Sequence, residues 1–156
     1  MSGQDFETVE LQTGPEPEVS IIWLHGLGAD GHDFEPVVPQ LANGLPPARF
    51  VFPHAPVRPV TINAGIPMRT WYDIVTFDRH APQDRQGIAQ SRQMVEGLLA
   101  REQERGIPSE RIVLAGFSQG GAIALYAGLR YPQTLGGIMA LSTFLPMPHR
   151  LGHEAT

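Results

Sequence analysis

Cysteine and lysine are both missing from this chain: it has no cysteine among its 156 residues, and its 11 Lys and Arg positions are all arginine. Without cysteine there is no thiolate nucleophile, no disulfide and no thiolate metal site. Without lysine there is no Schiff base, no serine–lysine pair and no phosphate-binding lysine. Nucleophilic catalysis by this chain must therefore use serine, threonine, tyrosine or a carboxylate.

Positive charge and long apolar runs are also scarce. The net charge is −5, from 16 acidic against 11 basic residues, which gives no basic surface for nucleic acid. No apolar run approaches the ~18–20 residues that span a bilayer. The first ten residues carry three acidic side chains and have neither a basic start nor an apolar stretch of signal-peptide length. We therefore expect a cytoplasmic protein without nucleic-acid partners or a transmembrane segment.

Short apolar runs alternate with helix-like patterns along the chain. Buried strands are predicted at 19–24, 49–52, 111–115 and 137–141, and an antiparallel edge strand at 6–11. Helices are predicted at 33–42, 84–105 and 120–129, and an irregular loop at 53–67. Alternating strands and helices are typical of parallel βαβ units. We expect one α/β domain over residues 1–156, with a mostly parallel sheet and helices on both faces.

A G-x-S-x-G motif at 116–120 falls where the strand RIVLA meets the apolar helix that begins at Gly120. This context is that of a nucleophile elbow, a sharp strand-to-helix turn that exposes a serine hydroxyl between small residues. The helix N-terminus behind Ser118 offers free N–H groups and the positive end of a dipole to a developing oxyanion. The motif predicts that Ser118 is a nucleophile.

A second glycine turn, His25-Gly26-Leu27-Gly28, follows the first buried strand. In a parallel sheet this turn opens on the same edge as Ser118. An oxyanion hole takes one N–H from the residue after the nucleophile and one from such a loop. We therefore predict that the backbone N–H groups of Leu27 and Gln119 are the two donors. His25 precedes the nucleophile in the chain, and we expect it to brace the loop rather than act as the base.

Four motifs give a more specific resemblance: WLHGLGAD at 23–30, FPHAP at 52–56, TWYDI at 70–74 and GFSQGGAIAL at 116–125. In these motifs, their order and their spacing, the chain resembles the phospholipase/carboxylesterase family of α/β-hydrolases, which includes the acyl-protein thioesterases. The resemblance covers nearly the whole chain. It implies an α/β-hydrolase fold and hydrolysis, without a cofactor, of carboxylic esters or thioesters of short or medium acyl chains, lysophospholipids or acyl-proteins.

The same resemblance implies roles for single residues. Ser118 is the nucleophile, Leu27 and Gln119 lie at the oxyanion site, and Trp71 lies near the acyl-binding cleft. A lone tryptophan among apolar neighbours fits a structural role in the core equally well, so both roles stay open for Trp71.

The chain departs from the family pattern in its last third, where such proteins carry an Asp and then a His. Here no Asp follows Asp84, and the titratable candidates after Ser118 are His149, His153 and Glu154. No acid precedes His153 to hold its imidazole in one tautomer, so we read its likeness to the family's Gly-His pair as coincidence. We expect the base and acid to lie outside this chain, and the sheet to lack its last strands.

Two other interpretations of the whole chain remain open: a truncated, non-catalytic hydrolase that binds or interacts, and one piece of a longer polypeptide. In the chain as given we expect the strand at 137–141 to be a long apolar edge that later strands should cover, and such an edge invites aggregation or pairing with a second copy.

The polar cluster at 25–33 contains two histidines and two aspartates. It matches no H-E-x-x-H helix and lies in a glycine loop. We therefore expect a solvated loop there and no metal site.

Overall fold

The computed structural model describes residues 6–156, and its main feature is a five-stranded sheet. Two further strands form a small hairpin. The strands are β1 (Thr8–Gln12), β2 (Val19–Leu24), β3 (Ala48–Pro53), β4 (Val57–Pro59), β5 (Pro67–Arg69), β6 (Ile112–Phe117) and β7 (Gly137–Leu141). The helices are α1 (Val38–Ala42), α2 (Arg85–Glu104), α3 (Gln119–Gly128) and α4 (Leu151–Glu154).

The large sheet has the order β1-β3-β2-β6-β7, and every pair is parallel except β1 with β3. The apolar strands β2 and β6 are central because each has a neighbour on both sides. The mostly parallel sheet and the antiparallel edge strand are both confirmed. Because β2 and β6 are parallel neighbours, the loops after them open on one edge, as the sequence predicted.

Two apolar cores cover the faces of the sheet. Ile22 and Leu24 of β2 face the helices α2 and α3, whereas Ile21 and Trp23 face the segment that leads into α1. This alternation follows from the two-residue period of a strand. Helices therefore lie on both faces, and α3 is buried nearly all round, as its apolar sequence indicated.

Helix α2 begins where the sequence placed its start. The Asp84 side chain accepts a hydrogen bond from the Gly87 amide (3.0 Å), which satisfies a donor that has no partner within the helix. The helix ends before Gly106, whose φ of +96° favours glycine. No helix in residues 6–156 is long and apolar enough to cross a membrane.

Two local predictions were wrong. The single helix predicted at 33–42 is a 3-10 turn at Glu35–Val37 followed by the five-residue α1, because Pro36 and Pro39 lack the N–H groups that a longer helix needs. The loop predicted at 53–67 contains β4 and the start of β5, which pair antiparallel. Prolines at the ends of these strands hid them, although proline is tolerated at strand ends.

Candidate active site

Ser118 occupies a strained turn between β6 and α3, with φ 54° and ψ −117°. A positive φ is rare for a residue with a Cβ and persists only when its surroundings impose it. Here the surroundings are glycines: a Cβ on Gly116 would overlap the backbone of Gly120, and a Cβ on Gly120 would overlap the carbonyls of Leu24 and His25. The small residues of the motif are therefore a packing requirement of the elbow.

Three hydrogen bonds hold the backbone of Ser118. Its N–H donates to the Leu141 carbonyl (2.9 Å), and its own carbonyl accepts from the Thr143 hydroxyl (2.6 Å) and from the Ala122 N–H (3.1 Å). Ser118 itself is exposed, and its hydroxyl makes no hydrogen bond within the described residues. The elbow thus presents a free hydroxyl from a fixed backbone.

The predicted oxyanion donors are both available. Within the part of the chain that the structure describes, neither the Leu27 N–H nor the Gln119 N–H donates to another group. Their loops are in contact, since a Cβ on Gly26 would lie 3.3 Å from the ring of Phe117. Gln119 is the first residue of α3, so its N–H is one of those that a helix leaves unsatisfied. Two unused amides therefore belong to touching loops, one of which carries Ser118.

His25 is buried and serves the glycine loop. Its Nδ1 lies 2.7 Å from the Gly26 carbonyl oxygen, and its Nε2 accepts from the Ala55 N–H (3.0 Å). These partners require a neutral ring with the proton on Nδ1, because a carbonyl only accepts and an N–H only donates. Burial lowers the pKa of His25 and so favours this neutral form. The bracing role predicted for His25 agrees with these contacts.

Trp71 is completely buried. Its indole Nε1 donates to the His25 carbonyl (2.8 Å), and its backbone N–H donates to Gln119 Oε1 (2.9 Å). Of the two roles that the sequence left open, these contacts favour the structural one. They also reveal a set of interactions that the sequence did not predict, in which the side chain of Gln119 binds the segment around Trp71.

No carboxylate in residues 6–156 hydrogen-bonds His153, as a catalytic base would require. Its neighbour Glu154 instead accepts from Arg130 (2.6 Å) and Arg150 (2.9 Å), and these arginines lower the pKa of the Glu154 carboxyl. No imidazole in residues 6–156 hydrogen-bonds Ser118.

The polar residues near the glycine loop are paired with one another. His32 Nδ1 lies 2.7 Å from Glu35, and the Asp30 carboxylate accepts from the His32 N–H (2.8 Å). Among residues 6–156, no three His, Asp or Glu side chains are grouped so that they could hold a metal ion.

Comparison with known proteins places this geometry in a family. The sequence profile of the phospholipase/carboxylesterase family matches residues 5–156. Acyl-protein thioesterase 1 of Cryptococcus neoformans is 41% identical over 135 residues, which are 85% of this chain and 57% of that protein. Acyl-protein thioesterase 1 of Mycosarcoma maydis is 40% identical over 150 residues, covering 89% of this chain and 62% of that protein.

The fold agrees with the sequence match. The crystal structure of acyl-protein thioesterase 2 from Zea mays superposes with a TM-score of 0.81 at 29% identity, covering 96% of this chain and 67% of that one. This chain spans about three fifths of the length of the curated relatives it matches. With a strained serine, a glycine loop and a central sheet in the expected places, the chain belongs to the phospholipase/carboxylesterase family of α/β-hydrolases.

Proposed function

We propose that this protein hydrolyses carboxylic esters or thioesters through an acyl-enzyme on Ser118. The observation that carries the proposal is the exposed hydroxyl of Ser118 on a strained turn. Two backbone N–H groups without a partner in residues 6–156 lie on its own loop and on the loop in contact with it. Such donors stabilise the negative charge that develops when an acyl carbonyl is attacked. Similarity to two acyl-protein thioesterases supports thioesters of acylated proteins among the substrates.

The reaction has two halves. Ser118 Oγ attacks the acyl carbon, its proton passes to a base, and the carbonyl oxygen becomes an oxyanion that the amides of Leu27 and Gln119 bind. Collapse expels the protonated alcohol or thiol and leaves an ester on Ser118. Water then attacks that ester, and a carboxylic acid and the free serine are released. No step uses a cofactor.

The base comes from outside residues 6–156 in this proposal. A serine hydroxyl is a weak nucleophile unless a positioned imidazole takes its proton. His25 is engaged at both ring nitrogens, and the carboxylate beside His153 is engaged by arginines. No imidazole of residues 6–156 hydrogen-bonds Ser118, so this proposal leaves the Asp and His that the family pattern implies unassigned within those residues.

A fluorophosphonate probe tests the assignment of the nucleophile. The probe is expected to add to Ser118 of the native protein, and Ser118→Ala is expected to abolish the adduct while the unfolding temperature changes little. Peptide mass mapping locates the label. Ser142→Ala is the matched control, because Ser142 also has a positive φ (49°) but does not precede a helix. Labelling that survives Ser118→Ala contradicts the proposal, and a native protein that never labels supports the non-catalytic binding alternative.

A further inference from the structure

The four residues Arg69–Tyr72 form a segment that touches both loops of the oxyanion site; we name it the clamp segment. Its contacts on one side are with the Gln119 side chain, and on the other side with the glycine loop. Gln119 therefore contributes twice to the site, by its backbone N–H and by a carboxamide that points away from the serine loop into the protein.

The carboxamide of Gln119 is buried, and both its oxygen and its nitrogen have hydrogen-bond partners. Its Oε1 accepts from the Trp71 N–H (2.9 Å), and its Nε2 donates to the Thr70 hydroxyl and to the Tyr72 carbonyl (2.8 Å each). The Trp71 N–H can only donate and the Tyr72 carbonyl can only accept, so the orientation of the amide is fixed. The Gln119 side chain thus holds the clamp segment in one position relative to the elbow.

The Leu27 N–H belongs to the peptide unit between Gly26 and Leu27. The clamp segment binds the peptide units on either side of that one. The Trp71 indole donates to the His25 carbonyl (2.8 Å), and the Arg69 carbonyl accepts from the Gly28 N–H (2.9 Å). Between them, the Gly26 carbonyl lies 2.7 Å from the buried His25 ring. Since the C=O and N–H of a trans peptide point in opposite directions, fixing the Gly26 carbonyl also fixes the direction of the Leu27 N–H.

We infer that the side chains of Gln119 and Trp71 are positioning residues, which hold the two oxyanion donors at one mutual distance through the clamp segment. This inference rests on the proposed function. Donors stabilise an oxyanion effectively when their geometry is set before the reaction. A small displacement of either donor therefore reduces the stabilisation of the transition state more than the binding of the substrate. The function of the buried Trp71 is then to set the position of the Leu27 amide.

The test compares two buried tryptophans. Trp71→Phe removes the donor to the His25 carbonyl, whereas Trp23→Phe removes a buried indole N–H that has no partner within the described residues. In the native protein we expect Trp71→Phe to lower kcat about 10- to 100-fold, below the ~10²–10³ that deleting a donor costs. We expect KM to stay within about twofold, and Trp23→Phe to leave both constants near their original values.

A second pair of variants addresses the Gln119 side. Thr70→Val keeps the shape but removes the hydroxyl that Gln119 Nε2 contacts, whereas Thr70→Ser keeps the hydroxyl. Thr70→Val is expected to lower kcat, whereas Thr70→Ser is expected to keep kcat near the value of the unchanged protein. A trifluoromethyl ketone forms an oxyanion on the serine, so its inhibition constant should rise in proportion to the fall in kcat/KM. The inhibition constant of a carboxylic acid product should stay the same.

Hydrogen exchange of the Gly28 amide gives a measure independent of turnover. That amide donates to Arg69, so its protection is expected to fall in Trp71→Phe and not in Trp23→Phe. Equal kinetics for the two tryptophan variants, or a rise in KM alone, overturns the inference if the native protein is active. If the native protein neither labels nor hydrolyses, the proposed function fails, and unchanged Gly28 protection in Trp71→Phe then overturns the coupling as well.

Discussion

At the scale of single residues, His25 shows how burial selects one chemical form of a side chain. Both ring nitrogens have partners, and the Ala55 N–H needs an unprotonated Nε2. Protonation would place two donors face to face inside the protein. Burial is the largest cause that lowers the pKa of His25 below its ordinary value of 6.5. The neutral ring is therefore part of the folded state.

A dependence of stability on pH follows from this lowered pKa. Between pH 6.5 and the lower folded value, the unfolded chain binds the proton and the folded chain does not, so His25 makes the free energy of unfolding fall as pH falls. Above that window His25 contributes no slope. We expect the urea concentration at the midpoint of unfolding to be lower at about pH 5.5 than at about pH 7.5. His25→Gln should make this difference smaller.

The control for this prediction is His149→Gln, which changes an exposed histidine and should keep the original slope. His32 acts with the opposite sign, because its hydrogen bond to Glu35 raises its pKa, so His32 favours folding at lower pH. Comparing each variant with the parent isolates the contribution of His25. Equal slopes in the parent and in His25→Gln would contradict the prediction.

At the scale of elements, close approach at glycine makes the elbow possible. Gly120, in the first turn of α3, packs on the end of β2, where its added Cβ would overlap two carbonyl oxygens. We expect Gly120→Ala to lower the free energy of unfolding by about 2–4 kcal/mol, because backbone atoms cannot yield as a flexible side chain can.

Gly137→Ala is the matched control for Gly120→Ala, because a Cβ on Gly137 meets no atom within 4 Å. It should alter stability by less than about 1 kcal/mol. Urea denaturation of both variants measures the difference. A Gly120→Ala variant as stable as Gly137→Ala would show that the contact between α3 and β2 is looser than described.

The elements that the sequence predicted well are those with strong periodicity or clear end signals. The strand predicted at 137–141 and the helix predicted at 84–105 were located almost to the residue, because apolar spacing and the stop signals after the helix are local. The β4–β5 hairpin was missed because its strands have three residues each and depend on pairing with each other. Short elements of this kind are decided by tertiary contacts.

The candidate site likewise has one part that the sequence could predict and one part that it could not. Ser118, Leu27 and Gln119 could be placed from motif and topology because glycine turns after parallel strands meet at one edge. The carboxamide contacts of Gln119 could not, since they join residues 47 to 49 positions apart and leave no pattern in the sequence. The motif TWYDI marked the segment but gave no indication of its partner.

At the scale of the whole molecule, the sheet is unequally protected at its two sides. Both outer strands have one neighbour in the sheet, but β1 carries charge, since Glu10 pairs with Arg101 of α2 and with Arg105, the residue that follows α2. β7 has no charged side chain. On the other side, β7 pairs only with β6 among residues 6–156. A strand with unpaired N–H and C=O groups is a template for association with another chain.

We expect the 156-residue chain to self-associate through β7 with increasing concentration. Ala140→Lys places a charge at an exposed position of β7 and should shift the chain toward the monomer. Gln40→Lys adds the same charge at an exposed position of α1 and should not. Light scattering after size-exclusion chromatography, at several concentrations, measures both. Equal effects of the two lysines would show that net charge, and not the strand edge, controls association.

The hydrogen bond from the Ser118 N–H to the Leu141 carbonyl connects this edge to the nucleophile. The amide proton of Ser118 can exchange with deuterium only when the end of β7 moves away from the elbow. Its protection factor therefore reports the free energy of opening at the sheet edge, with no attached label. Any molecule that covers β7 would slow this exchange, so one amide resonance records both the state of the edge and the rigidity of the serine that precedes α3.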